Sequence, residues 1–283
     1  ILGCLAAGSM LAYPAWLLVH PLNPEWPFHR IANRVSLLLL LICLVWLLRY
    51  LKVNNREGLG FTLDRRTFLR QLAAALGIGV AMMAPVVALL WALGIRAIDP
   101  AFAFTPAAWG GLLLKGLISG LVVALIEETL LRGAMHSAIQ RQSGRAAAVL
   151  LTAFVYAALH FIGKARVPHE EVEWLSGLVL IQGALSAFSH PLALMDSFLA
   201  LFAVGVLLSL VRLRTGAIAA CIGLHAGWGW VIAVTREVTV RAPDTSLSWL
   251  VGRYDGVVGY LVLLWTALVI ALYWRRGAAT RAA

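Results

Sequence analysis

Eight long apolar runs divide this sequence, and they limit the folds open to the chain more than any other feature. A hydrocarbon core takes roughly 20 apolar residues per crossing helix, and lipid leaves only helices and closed barrels to satisfy the backbone. A barrel would show alternating segments of about ten residues, and these runs do not alternate. We therefore predict an all-α, polytopic integral membrane protein with about eight transmembrane helices and a buried polar cavity. The runs cover about residues 1–19, 35–51, 71–94, 107–131, 146–163, 193–211, 216–235 and 256–274.

The composition excludes several classes of protein. Apolar residues make up 61% of the chain and charged residues 13%, whereas an average soluble domain carries about 25% charged residues. A soluble globule of this length would have too little polar surface to cover itself. The net charge is +10, but no basic face interleaved with aromatic residues accompanies it. A soluble enzyme, a disordered chain and a nucleic-acid-binding module are therefore excluded. The long apolar runs are expected to face the lipid bilayer.

The segments between the runs predict how the chain is placed in the membrane. No soluble domain fits between them, so a single membrane domain is expected over 1–283. Residues 1–20 lack a basic leader and a small-residue cleavage site, which predicts a span and not a signal peptide. If the spans alternate, Arg and Lys number fourteen on the side of both termini and eight on the other. Both termini are therefore predicted to be cytoplasmic, and the richness in Ala, Leu and Arg suggests a bacterial plasma membrane.

The three cysteines give no sign of a disulfide or a zinc site. Cys4, Cys43 and Cys221 stand singly inside apolar runs, and no CxxC spacing occurs. No cofactor and no metal are expected.

The fourth run contains charged residues that do not belong in lipid. Each ionisable group in the bilayer costs from about 2.5 kcal/mol upward. Glu128 and Arg132 are four residues apart, so they share a helix face and can form an ion pair. Glu127 points about 100° away from Glu128. We predict that Glu127 faces a cavity and is available as a general base. His136, one turn past Arg132, is predicted to lie at the surface near the headgroups.

The fifth run brings a histidine to the same predicted depth as Glu127. A turn around 142–144 would make the fourth and fifth runs an antiparallel hairpin. Glu127 and His160 each lie about 16 residues from that turn, so they are predicted to meet. Tyr156 is one helical turn from His160, on the same face.

The seventh run holds a second histidine at a close helix contact. His225 lies between Gly223 and Gly227, a small-xxx-small pair that lets another helix approach. Gly116 and Gly120 form a similar face on the fourth run, which is predicted to be one partner.

Taken together, these motifs resemble the CPBP family of intramembrane proteases, also called the Abi family. This family contains the CAAX proteases and the bacteriocin-processing enzymes. The shared pattern is Glu127-Glu128-x-x-x-Arg132, then Tyr156-x-x-x-His160, then His225 in a glycine-rich span. The resemblance covers about residues 107–235, which would be the catalytic core.

The resemblance implies a glutamate-type hydrolase without an obligatory metal. Glu127 with His160 would activate a water for attack on a peptide carbonyl, and His225 would stabilise the tetrahedral oxyanion. Glu128 and Arg132 would order the site.

One position departs from the family pattern. The last family motif is HxxxN, and Gly229 stands four residues after His225 in place of the Asn, so one oxyanion donor is missing or comes from elsewhere. Gly229, with Tyr156, is assigned to the substrate or oxyanion region.

Three other hypotheses stay open. The Gly229 departure fits a catalytically silent family member that acts as an immunity or scaffold protein. Intramembrane Glu, Arg and His side chains can also relay protons in a proton-coupled transporter, although no paired broken helices are apparent. His160, His225 and Glu127 could in principle hold a metal, without an HExxH motif to support it. As an enzyme, the protein would act on a membrane-associated protein or peptide, more readily a processing or sorting peptide than a prenylated one.

Overall fold

The computed structural model describes residues 2–50, 52–162, 166–242, 245–252 and 254–282. It is 76% helical with almost no sheet, which confirms the predicted all-α membrane fold. Helices lie at each of the eight predicted positions. Within the described ranges, three helical stretches are long and apolar enough to cross a membrane by length and composition: Arg65–Ala92, Pro106–His160 and Pro191–Thr215. The number of eight crossings stays a prediction.

The helices follow one another with few strands between them. In chain order they are α1 (Leu2–Met10), α2 (Ala12–Val19), α3 (Phe28–Tyr50), α4 (Arg65–Ala92), α5 (Pro106–Glu128), α6 (His136–His160), α7 (Ser176–Leu185), α8 (Pro191–Thr215), α9 (Ala219–Val238) and α10 (Tyr260–Ala282). Two three-residue strands, β1 (Arg96–Ile98) and β2 (Thr239–Arg241), pair antiparallel. The chain divides into two compact units, one of Ile1–Asn54 with Ala158–Leu192 and one of Asn55–Ala157 with Ala193–Ala283.

The smaller unit, which holds α1, α2, α3 and α7, is built on close helix contacts. Gly8 of α1 lies directly against Ser36 of α3, where any side chain would overlap. The predicted first span is interrupted at Leu11, between α1 and α2, because Pro14 has no N–H to donate to the preceding turn. Helix α7 has ten residues and is about 15 Å long, which is too short to cross a bilayer.

In the larger unit, α9 packs between α4 and α5. Gly223 and Gly227 face α4: a side chain on Gly223 would overlap the Leu72 carbonyl, and a Cβ on Gly227 would lie 3.0 Å from the Val80 nitrogen. These two glycines therefore lie against α4, whereas the predicted partner, α5, contacts another side of α9. The small residues of α9 accommodate the backbone of α4.

The glycines of α5 lie against another side of α9. A Cβ on Gly116 would lie 3.0 Å from Cδ1 of Trp230, and one on Gly120 would lie 3.1 Å from the Ala226 carbonyl. Helix α9 is thus fixed closely on two sides, which determines where His225 lies.

The predicted hairpin is present and is centred on Gly144. This residue has φ 85°, in the left-handed region that glycine adopts without strain, and it breaks α6 into two helices. Arg132 and Tyr156 each lie twelve residues from Gly144. The Arg132 guanidinium lies 4.4 Å from the centre of the Tyr156 ring. The second part of α6 therefore runs back alongside the end of α5.

A π-helical turn, Thr129–Met135, joins α5 to α6. The sequence analysis assumed unbroken helices and did not predict it. Such turns are often found at functional sites, and this one contains Arg132.

Candidate active site

Four segments of the larger unit meet around one buried carboxylate. Glu127 and Glu128 end α5, Arg132 lies in the π-helical turn, Tyr156 lies in α6 and His225 lies in α9. Each helix contributes a polar group at the same level of an otherwise apolar bundle.

Glu128 is the centre of the cluster and is fully buried. Its Oε1 accepts hydrogen bonds from Nη1 of Arg132 at 3.0 Å and from Nδ1 of His225 at 2.8 Å. The structure thus contains the ion pair that the spacing of four residues predicted. Charge-assisted hydrogen bonds of this kind offset the cost of burying a carboxylate.

Arg132 is also fully buried and binds three neighbours besides Glu128. Its Nη2 donates to the Gly205 carbonyl of α8 at 3.3 Å, and its guanidinium lies over the Tyr156 ring. Its own carbonyl accepts from Nε of Arg212 at 3.1 Å. Arg132 therefore contacts side chains or backbone of α5, α6 and α8.

His225 stands between two carboxylates with different surroundings. Nε2 of His225 lies 3.9 Å from Oε2 of Glu127, on the opposite side of the ring from Glu128. The Glu127 side chain is 35% exposed, whereas the Glu128 side chain has no exposed surface. The Tyr156 ring meets the imidazole edge-on, with centroids 5.8 Å apart. Glu127 is thus the open carboxylate of the pair.

The sequence analysis predicted that His160 meets Glu127. His160 is the last residue of α6 and belongs to the smaller unit. Its predicted meeting with Glu127 stays a prediction, and the histidine that contacts Glu127 in the larger unit is His225.

Gly229 lies one turn beyond His225, where a Cβ would meet no atom within 4 Å. The position that holds Asn in the family motif is therefore open space in this chain.

Two groups near the site were not predicted. His136 is buried with 1% exposure, so its predicted place at the surface is wrong. Tyr254, in the loop before α10, interacts electrostatically with Glu127: burial raises the pKa of its phenol, and the carboxylates of Asp255 and Glu127 raise it further. The four-residue spacing from Arg132 could have indicated His136, whereas no local signal points to Tyr254.

Within the described part of the chain, no group of three or more His, Cys, Asp or Glu side chains is arranged to hold a metal ion. The expectation of a metal-free site stays a prediction.

Residues 109–231, somewhat under half of the chain, match the family model described as Rce1-like, type II CAAX prenyl endopeptidase Rce1-like. The matched segment is Rce1-like. The resemblance to the CPBP family is thereby confirmed. The Rce1-like segment begins in α5, ends in α9 and contains all the predicted site residues, namely Glu127, Glu128, Arg132, Tyr156, His160, His225 and Gly229. No curated protein and no solved structure gave a match.

Proposed function

We propose that this protein is an intramembrane endopeptidase that hydrolyses a peptide bond in a membrane-associated protein or peptide. The Rce1-like match supports a CAAX-type intramembrane protease role at the level of the family. The observation that carries the proposal is the imidazole of His225, which lies between the buried Glu128 and the open Glu127.

Glu127 is the general base in this proposal. The Oε1 atom of Glu128 already accepts two hydrogen bonds, whereas Glu127 is partly exposed and can accept a proton from a reacting water. Because Glu128 accepts a hydrogen bond from Nδ1 of His225, the neutral ring keeps a lone pair on Nε2. One water can donate a hydrogen bond to Nε2 and one to Glu127, since the two atoms are 3.9 Å apart. A lone pair of the water oxygen then remains free to attack the peptide carbonyl carbon.

The chemistry balances with Glu127 as the only proton carrier. Glu127 takes a proton from the water while the water oxygen bonds to the peptide carbonyl carbon, and the carbonyl oxygen becomes an oxyanion. The carbon–nitrogen bond then breaks as the oxyanion collapses. Glu127 returns the proton to the leaving nitrogen, which gives an amine and a carboxyl terminus.

The remaining predicted residues have positioning roles. Glu128 and Arg132 fix His225, and Tyr156 packs against both Arg132 and His225. The proposal keeps His160 as a second group that assists Glu127. We also propose that the reaction needs no metal. The protein would lie in a bacterial plasma membrane with both termini in the cytoplasm.

The experiment compares new peptide termini in membranes from cells that express the parental protein or Glu127→Gln. Termini that depend on Glu127 identify the substrate without any assumption about prenylation. Incubation of the purified protein with that substrate in oxygen-18 water should label the new carboxyl terminus, and a chelator should leave the rate unchanged. Equal termini in both membranes would contradict the proposal.

A catalytically silent family member is the second candidate, because Gly229 leaves open space where the family motif has Asn. A silent protein would keep its cellular role after replacement of Glu127, but it would lose that role after replacement of an interface residue such as Gly223.

A further inference from the structure

A second layer of buried polar side chains lies one helical turn beyond Arg132. His136, Thr152 and Ser209 have exposures of 1%, 0% and 0%. Both ring nitrogens of His136 and both hydroxyl oxygens have no hydrogen-bond partner among the described residues. Nε of Arg132 is also buried and also has no hydrogen-bond partner among these residues. Buried polar atoms are nearly always hydrogen-bonded, so four side chains of this kind together need an explanation.

The helix contacts indicate that these side chains lie close to one another. His136 and Thr152 each lie eight residues from Gly144, so the hairpin puts them at equal depth. His136 also follows Arg132 by four residues, which is about one turn.

Ser209 joins them from α8. The Gly205 carbonyl accepts from the Arg132 guanidinium, and Arg212 donates to the Arg132 carbonyl. Ser209 lies between these two contacts along α8. A Cβ on Gly205 would lie 2.8 Å from Cα of Ala153, so α8 packs directly on α6 beside Thr152.

The chemistry of the layer matches water. Nε of Arg132 can only donate, the two hydroxyls can donate and accept, and a neutral imidazole offers one donor and one acceptor. A buried water typically makes about three hydrogen bonds to groups of this kind. We propose that His136, Thr152 and Ser209 form a binding site for ordered water, which completes the hydrogen bonds of Arg132 on the side away from Glu128.

This water would act as a positioning element. Both terminal nitrogens of Arg132 donate a hydrogen bond, and a water acceptor at Nε would bind the third nitrogen of the guanidinium. The site does not depend on proteolytic activity, so its test is separate from that of the proposed function.

The sign of a stability change tests the site. In Thr152→Val and Ser209→Ala, a hydroxyl that is bound to water is lost, and we expect the melting temperature in detergent to fall by about 2–4 °C for each variant. If the layer is dry, removal of an orphaned hydroxyl relieves a desolvation cost, so an unchanged or raised melting temperature would overturn the proposal. Thr235→Val is the matched control, since the Thr235 hydroxyl already donates to the Val231 carbonyl within α9. It should shift the melting temperature less than Thr152→Val does.

A second measurement uses the parental protein alone. Hydroxyl radicals formed by X-ray radiolysis of bound internal water label the side chains beside it. We expect labelling of His136 and none of Leu208, an equally buried side chain of α8. Absence of label on His136 would overturn the proposal even if the variants fail to fold.

Discussion

The Nδ1 atom of His225 lies 2.8 Å from Oε1 of Glu128, a carboxylate with no exposed surface. This contact joins α9 to the end of α5 at the point where Arg132 binds the same oxygen. Arg132 supplies the positive charge beside this carboxylate, so its removal leaves Glu128 buried with only the hydrogen bond from His225.

The Glu128–Arg132 pair should therefore behave as a coupled unit. We expect Arg132→Met to lower the free energy of unfolding by about 3–5 kcal/mol, because Glu128 would be left buried and uncompensated. The double variant Glu128→Gln with Arg132→Met should recover part of this loss. Unfolding in mixed detergent micelles measures the stability of the single and double variants. If the losses of the two single variants simply add in the double variant, the two side chains are independent.

Replacement of His225 should affect catalysis more than folding. We expect His225→Asn to keep a hydrogen bond to Glu128 but to lose the group beside Glu127, with a fall in kcat of about 10²-fold or more. His190→Asn, at an exposed position, is the control. If His225→Asn has the parental kcat, His225 has no part in the mechanism.

Two alanine substitutions on α9 should have opposite effects on stability. Gly223→Ala places a methyl group against the Leu72 carbonyl of α4 and should destabilise the protein by about 1–3 kcal/mol. Gly229→Ala enters open space and should stabilise the helix by up to about 1 kcal/mol. Melting temperatures of the two variants give the comparison. A shift of the same sign and size in both would contradict the tight contact between α4 and α9.

The open space at Gly229 also admits a larger polar side chain. We expect Gly229→Asn to fold as the parental protein does and to cleave the substrate faster, by up to about 10²-fold if it supplies an oxyanion donor. Gly229→Leu, which has the same number of side-chain heavy atoms as Asn and the same branching at Cγ, is the apolar control. An equal rate in the Asn and Leu variants would show that no donor is missing at this position.

Much of the larger unit follows from the sequence because its signals are local. Apolar runs predict the helices, the spacing of Glu128 and Arg132 predicts their pairing, and the turn around 142–144 predicts the hairpin of the fourth and fifth runs. The π-helical turn was not predictable in this way, since Thr129–Met135 has no residue pattern that distinguishes it from an α-helix.

Contacts between distant segments were predicted less well. The glycines of α9 indicated a close helix contact and α5 is one partner of α9, but the sequence did not show that Gly223 and Gly227 themselves face α4. His225 was expected at the oxyanion, and the meeting of His160 with Glu127 stays a prediction. The structure places His225 near Glu127, because the packing of α9 against both α4 and α5 fixes a position that no single helix pattern encodes.

The most direct test of the proposed mechanism is the cleavage rate of Glu127→Gln in proteoliposomes, measured beside Glu237→Gln, which changes an exposed glutamate of α9. We predict that Glu127→Gln folds with a parental melting temperature and cleaves about 10²–10⁴-fold more slowly, while Glu237→Gln cleaves normally. Cleavage by Glu127→Gln at the rate of Glu237→Gln would contradict the assignment of Glu127 as the base that activates water.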